Sequence, residues 1–297
     1  MVDRLEEMIT RHGFPGRDRY QLPPSQLTFQ DGAQYRMEIS GIDSLEEMEA
    51  LVEEKNKRKV PIHRVISMGT GTHLLTSSEL RDLAQMGKEG GIEVIVLPGP
   101  RANYDLGKHA SSPWGKVSGV RVRGADQMRY FLQDVVRCIE AGLRGFLFYG
   151  EDLLYLFHLM RQAGDLPEDL VFKVSYTQGL SNPAGAKLLQ KLGADSVNPV
   201  TDLTLPMLAA IREVLSIPLD VVVASFDILG EINRFWETPE MIRVCSPIYL
   251  KQELESTVEN ARQKVRYCEV IQEIVDRSGL DLQLSADAPE DLRIPRP

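Results

Sequence analysis

Residues 145–198 read GFLFYGEDLLYLFHLMRQAGDLPEDLVFKVSYTQGLSNPAGAKLLQKLGADSVN, and the fold is decided in this stretch. GFLFY (145–149) is a short β-like run, and residues 153–163 carry the apolar spacing of a helix. LVFKVS (170–175) is a second run, residues 183–192 predict a second helix, and DSVN (195–198) is a third run. Strand, helix, strand, helix, strand with short links is the pattern of a parallel sheet whose crossovers are helices.

The alternation continues in both directions. Toward the N-terminus lie YRMEISG (35–41), PIHRVISM (61–68) and the β-branched IEVIVL (92–97), which stops at Pro98-Gly-Pro100. Helices are expected between them, opening at Ser44 and at Thr76, each with a glutamate three residues on (Glu47, Glu79) in capping-box spacing. A further helix is expected near 125–141. Toward the C-terminus lie LDVVVAS (219–225) and RVCSPIYL (243–250). Asp202 is placed to cap a helix that ends near Leu215, and a long final helix is expected over 255–277. Eight strand–helix units predict an α/β fold, a (β/α)8 TIM-type barrel over 35–278. An open doubly wound sheet is the alternative, but it usually has fewer strands. Residues 1–34 form an N-terminal extension, expected as a helix and loop that plug the barrel's bottom. Residues 279–297 form a polar, proline-rich tail expected to be loosely ordered. The connection 98–124 is longer than an ordinary βα loop and carries Arg101, Tyr104, Lys108, His109 and Trp114, so it is a candidate lid, a surface excursion or an oligomer contact.

Composition narrows the function. With 297 residues, 43% of them hydrophobic and 26% charged, the chain can bury a substantial core. A net charge of −9 argues against broad nucleic-acid binding, which needs a basic surface. No apolar run reaches the roughly 20 residues of a membrane span, and the first residues mix both charges without a signal-peptide core. Cys138, Cys245 and Cys268 are widely scattered, as reduced thiols are. A cytoplasmic protein is expected. A homodimer is an assembly that barrels often form, but no residue here names its interface.

Strand alternation sorts the interior. The outer face of a barrel strand receives helices and must be apolar, so polar residues on the alternate positions point inward. The test places Arg36, Glu38 and Ser40 inside from the first strand, Lys173 and Ser175 from the fifth, Ser196 and Asn198 from the sixth, and Asp220 from the seventh. Such groups are costly to bury unless paired or used. They form either a structural ion-pair network or a site. Glu38, Lys173, Asn198 and Lys251 fall in the middle or C-terminal half of their strands, where barrel active sites lie. Asp220 opens its strand and is expected low, in a structural role. His63 and Arg64 are adjacent and face opposite ways, so only one looks inward. Glu151 and Asp152 reach the top rim, as helix N-caps or as catalytic groups.

From these residues Glu38 or His63 is expected as general acid/base, and Arg64, Arg101, Asn198 and Lys251 as binders of a small anionic substrate. Lys173 either neutralises Glu38, binds a substrate carboxylate, or, with a pKa depressed by apolar walls, forms a Schiff base. The small residues of SMGTGT (67–72) can expose backbone N–H groups to an anion, without a Walker or dinucleotide fingerprint. No His-x-His, His-Glu-x-x-His, cysteine cluster or Gly-x-Ser-x-Gly elbow occurs. No cofactor is therefore expected. Glu38, His63 and Glu151 could converge on a divalent ion, though each has a simpler explanation.

The strings YRMEISG (35–41), VPIHRV (60–65), GPRANYD (99–105), RGADQ (123–127), VFKVS (171–175), LGADSVNPVTDLTLPMLAAIR (192–212), PLDVVV (218–223) and SPIYLK (246–251) resemble the collagenase-like peptidases of family U-thirty-two (U32). The likeness is to a short, single-barrel branch, and the order and spacing of the strings carry it. The resemblance implies a barrel and nominally hydrolysis of peptides. Members of the wider group that modify RNA or cofactors carry an iron–sulfur cluster on a cysteine set; this chain's three scattered cysteines do not supply one. Three readings follow: a hydrolase-type enzyme on a small anionic substrate, a lyase or aldolase using Lys173, and a non-catalytic barrel that binds a ligand or partner.

Overall fold

In the computed structural model of the protein, residues 2–100, 112, 113, 115, 120–227 and 229–297 are described. Strands β1 (Tyr35–Ile42), β2 (Arg64–Ser67), β3 (Glu93–Val96), β4 (Gly145–Phe148), β5 (Val171–Val174), β6 (Ser196–Val197) and β7 (Leu219–Ser225) lie side by side in parallel. A two-residue strand β8 (Ile232–Asn233) pairs antiparallel with the end of β7. β9 (Ile248–Glu253) then pairs with both β7 and β1 and closes the ring. Eight parallel strands closed in this way make a (β/α)8 barrel, as the sequence predicts.

Helices α2 (Leu45–Arg58), α3 (Ser77–Gly90), α4 (Gly124–Glu140), α5 (Glu151–Ala163), α6 (Pro183–Lys191), α7 (Leu205–Val214), α8 (Thr238–Cys245) and α9 (Val258–Arg277) form the outer layer, and α1 (Val2–Thr10) precedes it. The apolar half of each strand faces them: Met37, Ile39, Val65, Val94, Val174, Val221 and Leu250 are buried there. Phe131 of α4, Phe148 of β4, Phe157 of α5 and Phe172 of β5 form one aromatic packet with ring centroids 5.2 to 6.4 Å apart. Burial stabilises each such ring by about 1.5–3 kcal/mol.

The expected capping box forms at one of the two predicted sites. Thr76 and Glu79 form a reciprocal capping box. Ser44 accepts from the Glu47 N–H at 3.2 Å, while the Glu47 carboxylate reaches one residue further back, to the Asp43 N–H at 2.8 Å. Two helix starts shift. Thr204, not Asp202, precedes α7, and α9 begins at Val258, where Thr257 accepts from the Asn260 N–H at 3.0 Å.

The last strand is displaced from its expected position. Residues 243–245 belong to α8, whose Met241, Ile242, Val244 and Cys245 are buried. Pro247 carries no N–H for a ladder, so β9 starts at Ile248 and runs on to Glu253. Cys245 therefore ends a helix and does not lie in a strand.

The two terminal segments also depart from expectation. Phe29 packs edge-to-face on Tyr249 at 5.2 Å, and Ser246 Oγ donates to the Leu27 carbonyl, so the extension borders the β9 side of the lower mouth without plugging it. The tail is anchored. The Ser285 N–H donates to the Tyr35 carbonyl at 3.1 Å, the Arg293 N–H to Glu93 at 3.0 Å and the Arg296 N–H to the Gly142 carbonyl at 2.9 Å. Its polar composition conceals Leu292, which is buried. Among the described residues no helix is long and apolar enough to cross a membrane.

Candidate functional site

The inward positions of the strands build two connected polar clusters. At mid-depth, Lys173 Nζ donates to Glu38 Oε2 at 3.1 Å and to the Asp220 carboxylate. Arg64 donates through Nη1 to Ser196 Oγ at 3.0 Å and to Asp220 at 3.3 Å, and through Nε to Glu93 at 2.5 Å. Ser196 Oγ donates to Asp220 at 2.9 Å. Glu38, Lys173, Asp220 and Ser196 have no solvent exposure.

Burial shapes the charges of this cluster. It pushes the Glu38 carboxyl up, but Lys173, Arg64 and Lys251 outweigh it and hold Glu38 below the usual carboxylate range. Asp220 goes the other way: burial, reinforced by Glu38, lifts it despite Lys173 and Arg64. Burial also lowers Lys173, against the pull of Asp220 and Glu38. Two carboxylates sharing one ammonium in a dry interior give this split, in which one acid ionises readily and the other holds its proton more tightly.

The second cluster lies higher, at the strands' C-terminal end. Lys251 Nζ donates to Asn198 Oδ1 at 3.3 Å and pairs with Glu253 Oε2 in a salt bridge of 2.7 Å. The Tyr176 hydroxyl donates to Glu253 Oε1 at 3.1 Å, and its ring lies 4.9 Å from the Lys251 ammonium. Asn198 Nδ2 donates to the Asp220 backbone carbonyl at 2.8 Å and so joins the two clusters. Burial lowers Lys251, but Glu253 and Glu38 raise it further, and it stays an ammonium. Burial and the neighbouring Glu253 raise Tyr176, which stays a neutral phenol.

Above this cluster opens a pocket of about 360 Å³. Ile66, Leu97 and Leu147 supply an apolar wall, and Ser175, Tyr176, Lys251 and Glu253 the polar side. That size and mixture suit a small ligand held by a few placed polar groups. Lys264 of α9 braces the rim from outside. Its Nζ donates to the Ser40 and Gly41 carbonyls, each at 2.7 Å.

The expected site residues therefore separate. Lys251 lines the pocket, and Asn198 supports it from below. Glu38 and Lys173 are brought together beneath it with no solvent exposure, Asp220, expected low and structural, completes that cluster, and Arg64 closes it from below, where it also lines a cavity at the barrel's lower end. His63 is not in the site. It lies at the barrel's lower end, where Nδ1 accepts from the Met37 N–H at 3.0 Å and Nε2 faces the Ser285 and Ala286 carbonyls at 3.2 and 3.1 Å. Burial and the nearby Arg36 lower its pKa to about 4, so it is a neutral, tethered ring. Arg101, with Tyr104, Lys108, His109 and Trp114, lies outside the described residues, as does most of the candidate lid.

Glu38, His63 and Glu151 do not converge on an ion: they lie in the mid-depth cluster, at the lower end and on the upper rim, where Arg121 donates to Glu151 at 2.9 Å. Among the described residues no group of three histidine, cysteine or acidic side chains is arranged to hold a metal. The 67–72 loop spends its donors internally, the Gly69 N–H on Asp43 at 2.5 Å and the Thr72 N–H on the Leu97 carbonyl at 3.0 Å. All three cysteines are buried, and burial pushes Cys138 and Cys245 up to about 12. Sequence reasoning missed Tyr176 and Glu253. Glu253 carries a signal, since Tyr249, Lys251 and Glu253 alternate along one strand, but it lies beyond the predicted run, which ends at Leu250.

No family model and no curated protein sequence matches the chain. Solved structures do. A U32 peptidase is 19% identical, with 67% of this chain and 73% of that chain covered and a TM-score of 0.43. A truncated 3-deoxy-D-arabino-heptulosonate 7-phosphate synthase from Thermotoga maritima is 14% identical, with 85% and 90% covered and a TM-score of 0.47. The dimeric archaeal Rubisco from Hyperthermus butylicus is 12% identical, with 83% and 61% covered and a TM-score of 0.50. At such identities the likeness concerns the fold.

Proposed function

We propose that the chain is an enzyme of the U32 peptidase-like group that binds a small anionic substrate in the upper pocket and acts on it by hydrolysis. One observation carries the reading: a buried ammonium, Lys251, lines the pocket beside the carboxylate of Glu253, at the end of the barrel where such enzymes place their chemistry. Lys251 binds the substrate's anionic group or the oxyanion that develops during attack. Glu253 takes the proton of the attacking water, and the Tyr176 phenol orients it through the Glu253 Oε1 bond. The sequence resemblance supports hydrolysis as the reaction. Lys173 gives no support to aldolase chemistry, because its ammonium is spent on Glu38 and Asp220 and lies below the pocket lining.

The test is a calorimetric titration with dicarboxylates and inorganic phosphate, run beside a hydrolysis screen of short blocked peptides and esters. Lys251→Met is expected to weaken the best anion by about tenfold or more with the fold intact. Unchanged affinity removes Lys251 from the site. The complete neutralisation of Glu38 and Lys173 favours a second reading, a binding barrel without turnover, whose mark is tight binding with no hydrolysis of any member of the screen.

A further inference from the structure

The larger hollow of the molecule is at the opposite end. A cavity of about 1120 Å³ opens on the lower face, three times the volume of the upper pocket. Lower faces of such barrels ordinarily serve stability. Here the inward positions that should fill the floor are Arg36, Arg64, Glu93 and Tyr249, all at most 4% exposed, and all line the cavity.

These residues form an ordered floor. The Arg64 guanidinium lies 3.8 Å over the Tyr249 ring, and the Arg36 guanidinium lies 4.0 Å over Phe29. Arg36 is fully used, donating to Ser285 at 2.8 Å and to Asp291 at 2.6 Å. Glu93 is satisfied too: its two oxygens accept from the Arg293 N–H and from Arg64 Nε. Arg64 is different. Its Nε and Nη1 are bonded, whereas Nη2 has no hydrogen-bond partner among the described residues. The side chain of Arg293, on the rim, likewise has none. Leu170, Val171, Ile217, Pro218 and Leu292 supply apolar walls.

We propose that the lower cavity is a second ligand site, for an organic anion with an apolar or aromatic body. Its carboxylate or phosphate meets the free edge of Arg64 and the Arg293 side chain, and its body lies against Val171, Ile217 and Leu292. Of the four carboxylates that line the cavity, Glu93, Asp195 and Asp291 are each held by an arginine, and Glu168 alone has no such pair among the described residues, so their repulsion of an anion is largely offset. Both segments outside the barrel repeat contribute: Phe29 comes from the extension and Asp291 to Arg293 from the tail, so both build the cup. The site is separate from the upper pocket and does not depend on its assignment.

Calorimetric titration of the full chain with benzoate, inorganic phosphate and citrate tests the proposal, with benzyl alcohol as the neutral counterpart of benzoate. Saturable binding of benzoate is expected, weakened about tenfold by Arg293→Ala, weakened also by Ile217→Trp, whose ring occupies the part of the wall where the ligand's body lies, and unchanged by Lys251→Met. Circular dichroism of each variant separates lost binding from lost fold. Three results overturn it: no saturable binding by any of the anions, equal affinity for benzyl alcohol, or binding that Lys251→Met removes and Arg293→Ala leaves alone.

Discussion

At position 63 an imidazole with both nitrogens engaged and a pKa near 4 has a consequence for stability rather than catalysis. An unfolded histidine titrates near 6.5, so below that pH the unfolded chain takes up a proton that the native ring refuses. His63 thus contributes fully above about pH 6.5, and its contribution is lost as pH falls toward about 4, by about 3 kcal/mol in all. In urea melts at pH 7 and pH 4.5, His63→Gln is expected to flatten this acid limb; an identical loss in both proteins removes His63 as its cause. Lys173 argues a different point. Lys173→Met leaves Glu38 and Asp220 with Arg64 as their remaining shared cation, at 3.5 and 3.3 Å, and removing one partner of a buried pair costs about 3–5 kcal/mol. Borohydride trapping with small aldehydes is expected to leave Lys173 unmodified in the folded chain, and an adduct there would restore the Schiff-base reading.

Strands and helices were legible wherever one physical signal dominated. β3 and β7 are β-branched runs, and Thr76–Glu79 marks a helix start that the structure reproduces. The last strand was misplaced because apolar residues crowd both sides of Pro247, and a short buried helix and a buried strand share that composition. The anchoring of the tail is not legible in its polar composition, because it rests on backbone donors and on long-range partners such as Arg36, which holds Ser285 and Asp291 from β1. Gly142 makes that anchoring testable. It holds φ +98°, and a Cβ there would meet the Pro297 backbone at 2.5 Å. Gly142→Ala is expected to destabilise the chain by about 1–3 kcal/mol and to expose the last residues to carboxypeptidase. Unaltered digestion would mean that the tail is held without this contact.

Across the whole molecule, the barrel axis is polar from the lower cavity to the upper pocket: Glu93 to Arg64, Arg64 to Asp220, Asp220 through Asn198 to Lys251, and Lys251 to Glu253. Alternation in the sequence gives the inward direction of Glu38, Lys173, Asn198 and Asp220. It cannot give their partners, because Glu38 of β1 meets Lys173 of β5 across the barrel, and the stagger of a closed sheet decides that encounter. A buried network of this kind is seldom the most stable filling, since desolvation offsets much of the attraction between the ions. A charge-balanced removal therefore separates stability from function. Lys173→Met combined with Asp220→Leu deletes one charge of each sign and keeps the Asp220 backbone carbonyl that holds Asn198. In a double-mutant cycle the pair is expected to be more stable than the sum of the single variants by about 1–3 kcal/mol. Affinity of the upper pocket for its best dicarboxylate, measured by calorimetry, should stay within about twofold, because Asn198 and Glu253 still hold Lys251. Affinity that collapses while the fold survives would move the mid-depth cluster into the binding machinery.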